Sequence, residues 1–344
     1  MKKSIILLLI LCLSIPALAQ KLQSRVVVDS IYSKNLENNF NENPTRAVSV
    51  YLPAGYDESN QNYPVIYFLH GFMGNHVIFP QMKEILDYAI ESQRIRPFIF
   101  VISNQYTTYE GSFYSNSELF GNWEDFTAFD LVNYVDKNFR TIADKESRGI
   151  TGHSMGGYGA LKIAMHHPDI FSSVYALSPG ALTIVAEYGP NSNTYKDLAK
   201  VKTEEELSKT YFPKVIVALS KSWSPNPNNP PFYCDIPFTF EDGELIAHPE
   251  VLEKWYRNMP VHMIDENLEN LKKLKAIKLD WGRNSGERFT RQCKMLSQRL
   301  ENVGITHFAE EYIGTHTNGI YTIDGRIPQQ MLPFFDFYLS FENK

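Results

Sequence analysis

Ser154 stands in the run Gly152-His153-Ser154-Met155-Gly156-Gly157, between a stretch that reads as a strand (Arg148 to Thr151) and a helical pattern from Met155 to His166. A serine on so tight a strand-to-helix turn holds its hydroxyl out above the sheet. Glycines at 152 and 156 remove the side chains that would collide with the strand and the helix. The helix N-terminus adds backbone N–H groups that favour a developing negative charge. The bare Gly-x-Ser-x-Gly spacing is a weak signal; the strand before it and the helix after it give it weight. The chemistry it points to is nucleophilic attack by a serine.

A serine hydroxyl is a poor nucleophile and needs a base, a histidine held by a carboxylate. Chains with this kind of elbow run in the order serine, acid, histidine. His316, in Tyr312-Ile313-Gly314-Thr315-His316-Thr317, follows the last expected strand and precedes the final helix, where such a base belongs. His153 adjoins the serine, but the turn directs its side chain away. The acid should lie in Gly282-Arg283-Asn284-Ser285-Gly286-Glu287, after a strand at Ile277 to Trp281. An aspartate is expected near position 285, and Ser285 stands there. Glu287 is the nearest carboxylate in that loop, and it equally suits a solvated helix N-terminus. Asp280 lies on the strand itself, with its side chain committed to one sheet face. The acid is therefore Glu287, Asp280 or none. An oxyanion needs two backbone N–H donors, one just after the serine and one from a loop after an early strand. Met155 supplies the first. Phe72, in Leu69-His70-Gly71-Phe72-Met73-Gly74, supplies the second, with Gly71 and Gly74 allowing close backbone approach.

These residues need a frame. Arg25 to Ser33 and Arg46 to Leu52 alternate apolar and polar residues, as half-buried antiparallel strands do. Near-continuous apolar runs at Pro64 to Leu69, Phe98 to Ile102, Ser173 to Leu177 and Ile277 to Trp281 read as central parallel strands, and His307 to Tyr312 as the last strand. Helical periodicity lies between them at Phe79 to Ile90, Phe126 to Phe139, Ala160 to Met165 and Arg288 to Val303, with a last helix around Gln329 to Phe341. The alternation predicts an α/β fold with a mostly parallel sheet covered on both faces. Leu182 to about Leu274 separates two core strands by far more than a crossover needs. Its Pro-rich run 224–231 excludes regular structure there, and the segment (about 183–274) reads as an inserted cap over the site. The loop Asn104 to Asn122 is rich in tyrosine and serine and lies at the carboxyl edge of the sheet, where ligands bind. Tyr106, Tyr114 and the nearby Trp123 are expected to contact substrate, their rings suiting sugar or phenolic groups.

Lys2 and Lys3, the apolar run Ile5 to Ile15 and Ala17-Leu18-Ala19 read as a secretory signal over residues 1–19, with residues 20–344 forming the domain and a periplasmic or secreted destination. No later apolar run reaches membrane length. The net charge of −6 comes with no basic patch, which argues against nucleic acid as a partner. Nothing in the sequence calls for a metal or cofactor. Cys234 and Cys293 either pair or lie as buried thiols.

At this point the residues resemble a known family. His70-Gly71-Phe72, Trp123-Glu124-Asp125-Phe126, the run Arg148 to Leu161, His167-Pro168-Asp169 and Leu177-Ser178-Pro179-Gly180 resemble the esterase D-like ("putative esterase") branch of the α/β-hydrolases. That branch holds S-formylglutathione hydrolases, feruloyl and acetyl xylan esterases, and mycolyltransferases. The resemblance covers about 45–182 and 276–341. It implies an α/β-hydrolase fold, Ser154 as nucleophile, His316 as base, and Phe72 and Met155 as oxyanion donors. Of the family's later motifs, Gly-x-His is kept as Gly314-Thr315-His316. Gly-x-x-Asp reads Gly282-Arg283-Asn284-Ser285, without the acid. The expectation is an exported serine esterase for acylated carbohydrate or aryl esters. An acyltransferase and a binding protein that has lost turnover are the alternatives.

Overall fold

The computed structural model describes residues 22–342, so the expected signal at 1–19 lies outside the described residues. Among the described residues the central sheet has eight strands. They are β1 (Arg25–Tyr32), β2 (Thr45–Leu52), β3 (Val65–Leu69), β4 (Ile99–Ser103), β5 (Arg148–His153), β6 (Ser173–Leu177), β7 (Ala276–Gly282) and β8 (Phe308–Tyr312). Their order in space is β1-β2-β4-β3-β5-β6-β7-β8. β1 and β2 are antiparallel, and β2 is antiparallel to β4. From β4 to β8 every pairing is parallel. This is the α/β-hydrolase arrangement.

The two-residue period of a strand assigns side chains to two cores. Val65, Tyr67 and Leu69 of β3 face one cluster, and Ile66 and Phe68 face the other. Helix α1 (Pro80–Glu91) covers the second cluster through Met82, Ile85 and Leu86. Helix α2 (Met155–His166) is buried almost throughout on the first. All five residues of β3, β4 and β6 are buried, which explains their unbroken apolar reading.

The long insertion is ordered and packs into the first core. Its main helix, α3 (Phe212–Trp223), is buried along most of its length, and a hairpin follows at Phe238–Glu241 and Glu244–Ala247. The Pro-rich stretch runs as turns, with a cis bond between Pro230 and Pro231. Cys234 and Cys293 are both free and buried. After β7 comes helix α4 (Glu287–Asn302), and after β8 the chain closes with α5 (Leu332–Tyr338). Among the described residues no helix is long and apolar enough to cross a membrane.

Candidate active site

Ser154 lies between β5 and α2 with φ +59° and ψ −115°, a region that non-glycine residues rarely occupy. The surroundings hold it there. Its N–H donates to Leu177 O at 3.0 Å, and its carbonyl accepts from the N–H of Tyr158 and of Gly180, at 3.0 and 3.2 Å. The two flanking glycines are obligatory by contact. A Cβ on Gly156 would stand 1.8 Å from Leu69 O, and one on Gly152 would stand 2.5 Å from the Gly156 backbone.

Met155 is the first residue of α2, so its amide is among the helical donors without an intrahelical acceptor. The loop carrying Phe72 is fixed on both sides. Met73 N–H donates to Glu110 O and Gly74 N–H to Gly71 O, each at 2.9 Å. The buried ring of His70 donates from Nδ1 to Gly71 O and accepts the Gln105 N–H at Nε2, both at 2.9 Å. Burial pushes this imidazole down to about 4, so it stays neutral in that tautomer. Gly111 closes the arrangement: a Cβ there would lie 2.5 Å from Met155 Sδ and 2.8 Å from the Phe72 ring.

His316 is brought against the elbow. Its carbonyl accepts from His153 Nε2 at 3.0 Å, and the two imidazole centroids are 4.6 Å apart. Its ring lies flat on Phe289, 3.7 Å between centroids and 18° between planes. No hydrogen bond to the Ser154 hydroxyl is formed among the described residues; such bonds are commonly long in ligand-free sites and tighten with substrate. Burial, then the neighbouring His153, Arg288 and Arg326, push the imidazole down to about 2. His316 Nδ1 is buried without a hydrogen-bond partner.

The carboxylate expected at Glu287 does not meet this ring. Its side chain is largely exposed at the start of α4 and pairs with Arg291, because the first turn of the helix carries it outward. Asp280 is fully engaged elsewhere. It accepts from Arg326 Nη1 at 2.5 Å, Ser178 N–H at 3.0 Å and Tyr175 Oη at 3.0 Å. Burial raises its pKa, and the Arg326 guanidinium opposes that. Sequence reasoning missed this pair and what hangs from it. Arg326 Nε also donates to Asn318 O at 3.0 Å, and Asn318 Oδ1 takes the Thr315 N–H at 2.7 Å. A buried ion pair thus anchors the loop that carries His316.

A small cavity of about 30 Å³ opens beside Ser154 and Met155. It is walled by Phe72, Phe113, Tyr188, Tyr211, Phe212 and Phe289, with Arg288 at its edge. Tyr211 and Phe212 come from the insertion, at the entry to α3. None of Tyr106, Tyr114 and Trp123 lines it. Tyr114 is wholly buried and donates to His70 O at 2.8 Å, so it braces the loop bearing Phe72 from beneath. Trp123 is buried too, its indole N–H held by Phe120 O at 2.8 Å. Tyr106 is 40% exposed.

Residues 40–323 match the family model described as "Putative esterase". The chain belongs to that family. This esterase-family chain is 33% identical over 150 residues to an endo-1,4-beta-xylanase/feruloyl esterase of Xylanibacter ruminicola, a stretch that covers 39% of it and 20% of that relative. It is 33% identical over 146 residues to an esterase of Mycobacterium tuberculosis, covering 41% of it and 30% of that protein. The chain therefore spans less than a third of the length of these curated relatives. Among solved structures, a ferulic acid esterase superposes with a TM-score of 0.61 at 22% identity, over 92% of this chain and 100% of that one. An S-formylglutathione hydrolase from Agrobacterium tumefaciens superposes with a TM-score of 0.60 at 17% identity, over 92% and 96%. At those identities the likeness establishes the fold.

Proposed function

We propose that this chain is a serine carboxylic-ester hydrolase, exported, working through an acyl-enzyme on acylated carbohydrate or aryl esters. The observation that carries the reading is the constrained backbone of Ser154 at the start of α2, beside the braced loop that bears Phe72. Ser154 Oγ attacks the ester carbonyl while His316 Nε2 takes its proton. The tetrahedral oxyanion is held by the N–H groups of Met155 and Phe72. The intermediate collapses, the alcohol leaves with the proton from His316, and an acyl-Ser154 remains. Water, deprotonated by His316, then attacks that ester and frees the acid and the serine. These steps need no metal or cofactor.

The aromatic walls of the Ser154 cavity support an aryl or sugar-bearing substrate. The match to a protein named for feruloyl esterase activity supports the same class. The basic, apolar and small-residue order of residues 1–19 supports export. Acyl transfer to an alcohol other than water would use the same acyl-enzyme. A binding protein without turnover is favoured by one observation, the unpartnered Nδ1 of His316.

A fluorophosphonate probe should label Ser154 in the folded protein, and methyl hydroxycinnamate or 4-nitrophenyl acetate should be hydrolysed. Product analysis with an added oligosaccharide separates hydrolysis from transfer. Absence of labelling in folded protein refutes the enzymatic reading.

A further inference from the structure

Two buried polar atoms lack a partner on the two loops that meet beside the elbow: Ser285 Oγ and His316 Nδ1. The loops are tied together through the backbone. Arg283 N–H donates to Tyr312 O at 2.8 Å and Asn284 N–H to Gly314 O at 2.9 Å. They are also in close contact. The point where a Cβ on Gly282 would stand lies 2.6 Å from Ser285 Oγ and 2.7 Å from Thr315 O. The hydroxyl therefore shares one small volume with the residue before His316. Neither nearby carboxylate competes for the ring, since Asp280 is engaged by Arg326 and Glu287 by Arg291. The two atoms are not hydrogen-bonded to each other in this structure; leaving two such groups buried and unpaired is costly, and pairing them removes both costs.

We propose that Ser285 is a positioning residue in the place of a triad carboxylate, its hydroxyl oxygen accepting the Nδ1–H of His316. This deepens the esterase reading and rests on it. The bond keeps the proton on Nδ1 and leaves Nε2 as the free base towards Ser154. A hydroxyl fixes the tautomer but carries no charge to stabilise the imidazolium that forms when His316 takes the serine proton. Turnover is then slower than a carboxylate would give. The groups facing the ring are His153 from β5, Arg288 and Phe289 from α4, and Arg326 from the segment before α5. His153, Arg288 and Arg326 disfavour a charged imidazole, and no carboxylate faces the ring to offset them among the described residues.

Four proteins test this: wild type, Ser285→Ala, Ser285→Thr and Ser285→Asp, each checked for fold by circular dichroism. Ser285→Ala should lower kcat about tenfold with KM unchanged, the net worth of one ordinary hydrogen bond. Ser285→Thr, which keeps the hydroxyl, should restore it. Ser285→Asp should raise kcat above wild type and move the acid limb of the pH profile upward, because a carboxylate favours the imidazolium. The 15N shifts of the His316 ring should report an Nδ1–H tautomer in wild type and Ser285→Thr, and a mixture in Ser285→Ala. Wild-type kcat together with an unchanged tautomer in Ser285→Ala overturns the inference. Failure of fluorophosphonate to label wild-type Ser154 overturns the esterase reading instead, and the ring shifts still report on the Ser285–His316 bond.

Discussion

Replacing Arg326 by methionine should expose how the loop bearing His316 is held. The guanidinium and the Asp280 carboxylate are 2.5 Å apart, with side chains 9% and 2% exposed. Removing one member of a buried pair leaves the other charge uncompensated, which typically costs about 3–5 kcal/mol. Asp280 keeps only Ser178 N–H and Tyr175 Oη as donors, so the cost belongs within that range. The sign with pH follows. Burial already raises the Asp280 pKa in the wild type against the pull of Arg326, and without the guanidinium it rises further. The folded variant then binds that proton more tightly than the unfolded chain, whose aspartates titrate near about 3.9. The deficit is full at pH values above the raised folded-state pKa and shrinks as pH falls through it. Urea unfolding followed by circular dichroism at pH 8 and pH 5 measures both values. Asp280→Asn in the Arg326→Met background should recover part of the loss at pH 8 and little at pH 5. A variant within about 1 kcal/mol of wild type at pH 8, below the range for a broken buried pair, refutes the reasoning. So does a deficit larger at pH 5 than at pH 8.

Ser154→Ala should abolish fluorophosphonate labelling and lower kcat on the order of 10⁶-fold, with an unchanged thermal transition. The acid limb of kcat/KM in the wild type should lie well below pH 6.5. The base must be neutral to act, and burial holds the His316 imidazole down to about 2, so acidification protonates it late; a limb at or above 6.5 counts against this. Glu287→Gln should leave kcat/KM within about twofold, since the carboxylate is exposed and, among the described residues, paired along its own helix. Gly156→Ala should destabilise the fold by about 3 kcal/mol in urea unfolding, because its Cβ would stand 1.8 Å from the Leu69 carbonyl and neither backbone can move freely.

What the sequence determined by itself was local or periodic. The elbow is readable because its glycines stand at a fixed spacing of two residues on either side of the serine, although what they make room for includes the distant Leu69 carbonyl, and the strands because buried parallel strands leave unbroken apolar runs. The alternation of strands and helices then restricts the topology to a parallel sheet covered on both faces. That Ser285 stands where the resembled family carries an aspartate is equally plain from the sequence. The tertiary structure decided what depends on direction and on distant partners. Tyr114 sits in a loop whose composition suggests a binding surface, and Trp123 directly follows it, yet both turn inward, because composition does not encode which way a ring points. The rings that do wall the Ser154 cavity come from loops, helices and the insertion, at positions from 72 to 289 along the chain, and no window of sequence brings them together. Asp280 and Arg326 are 46 residues apart. Their pairing, and the two orphaned atoms on the loops they brace, exist only once β7 and the segment after β8 are side by side, since a contact between distant residues has no periodic or steric trace in the chain that makes it.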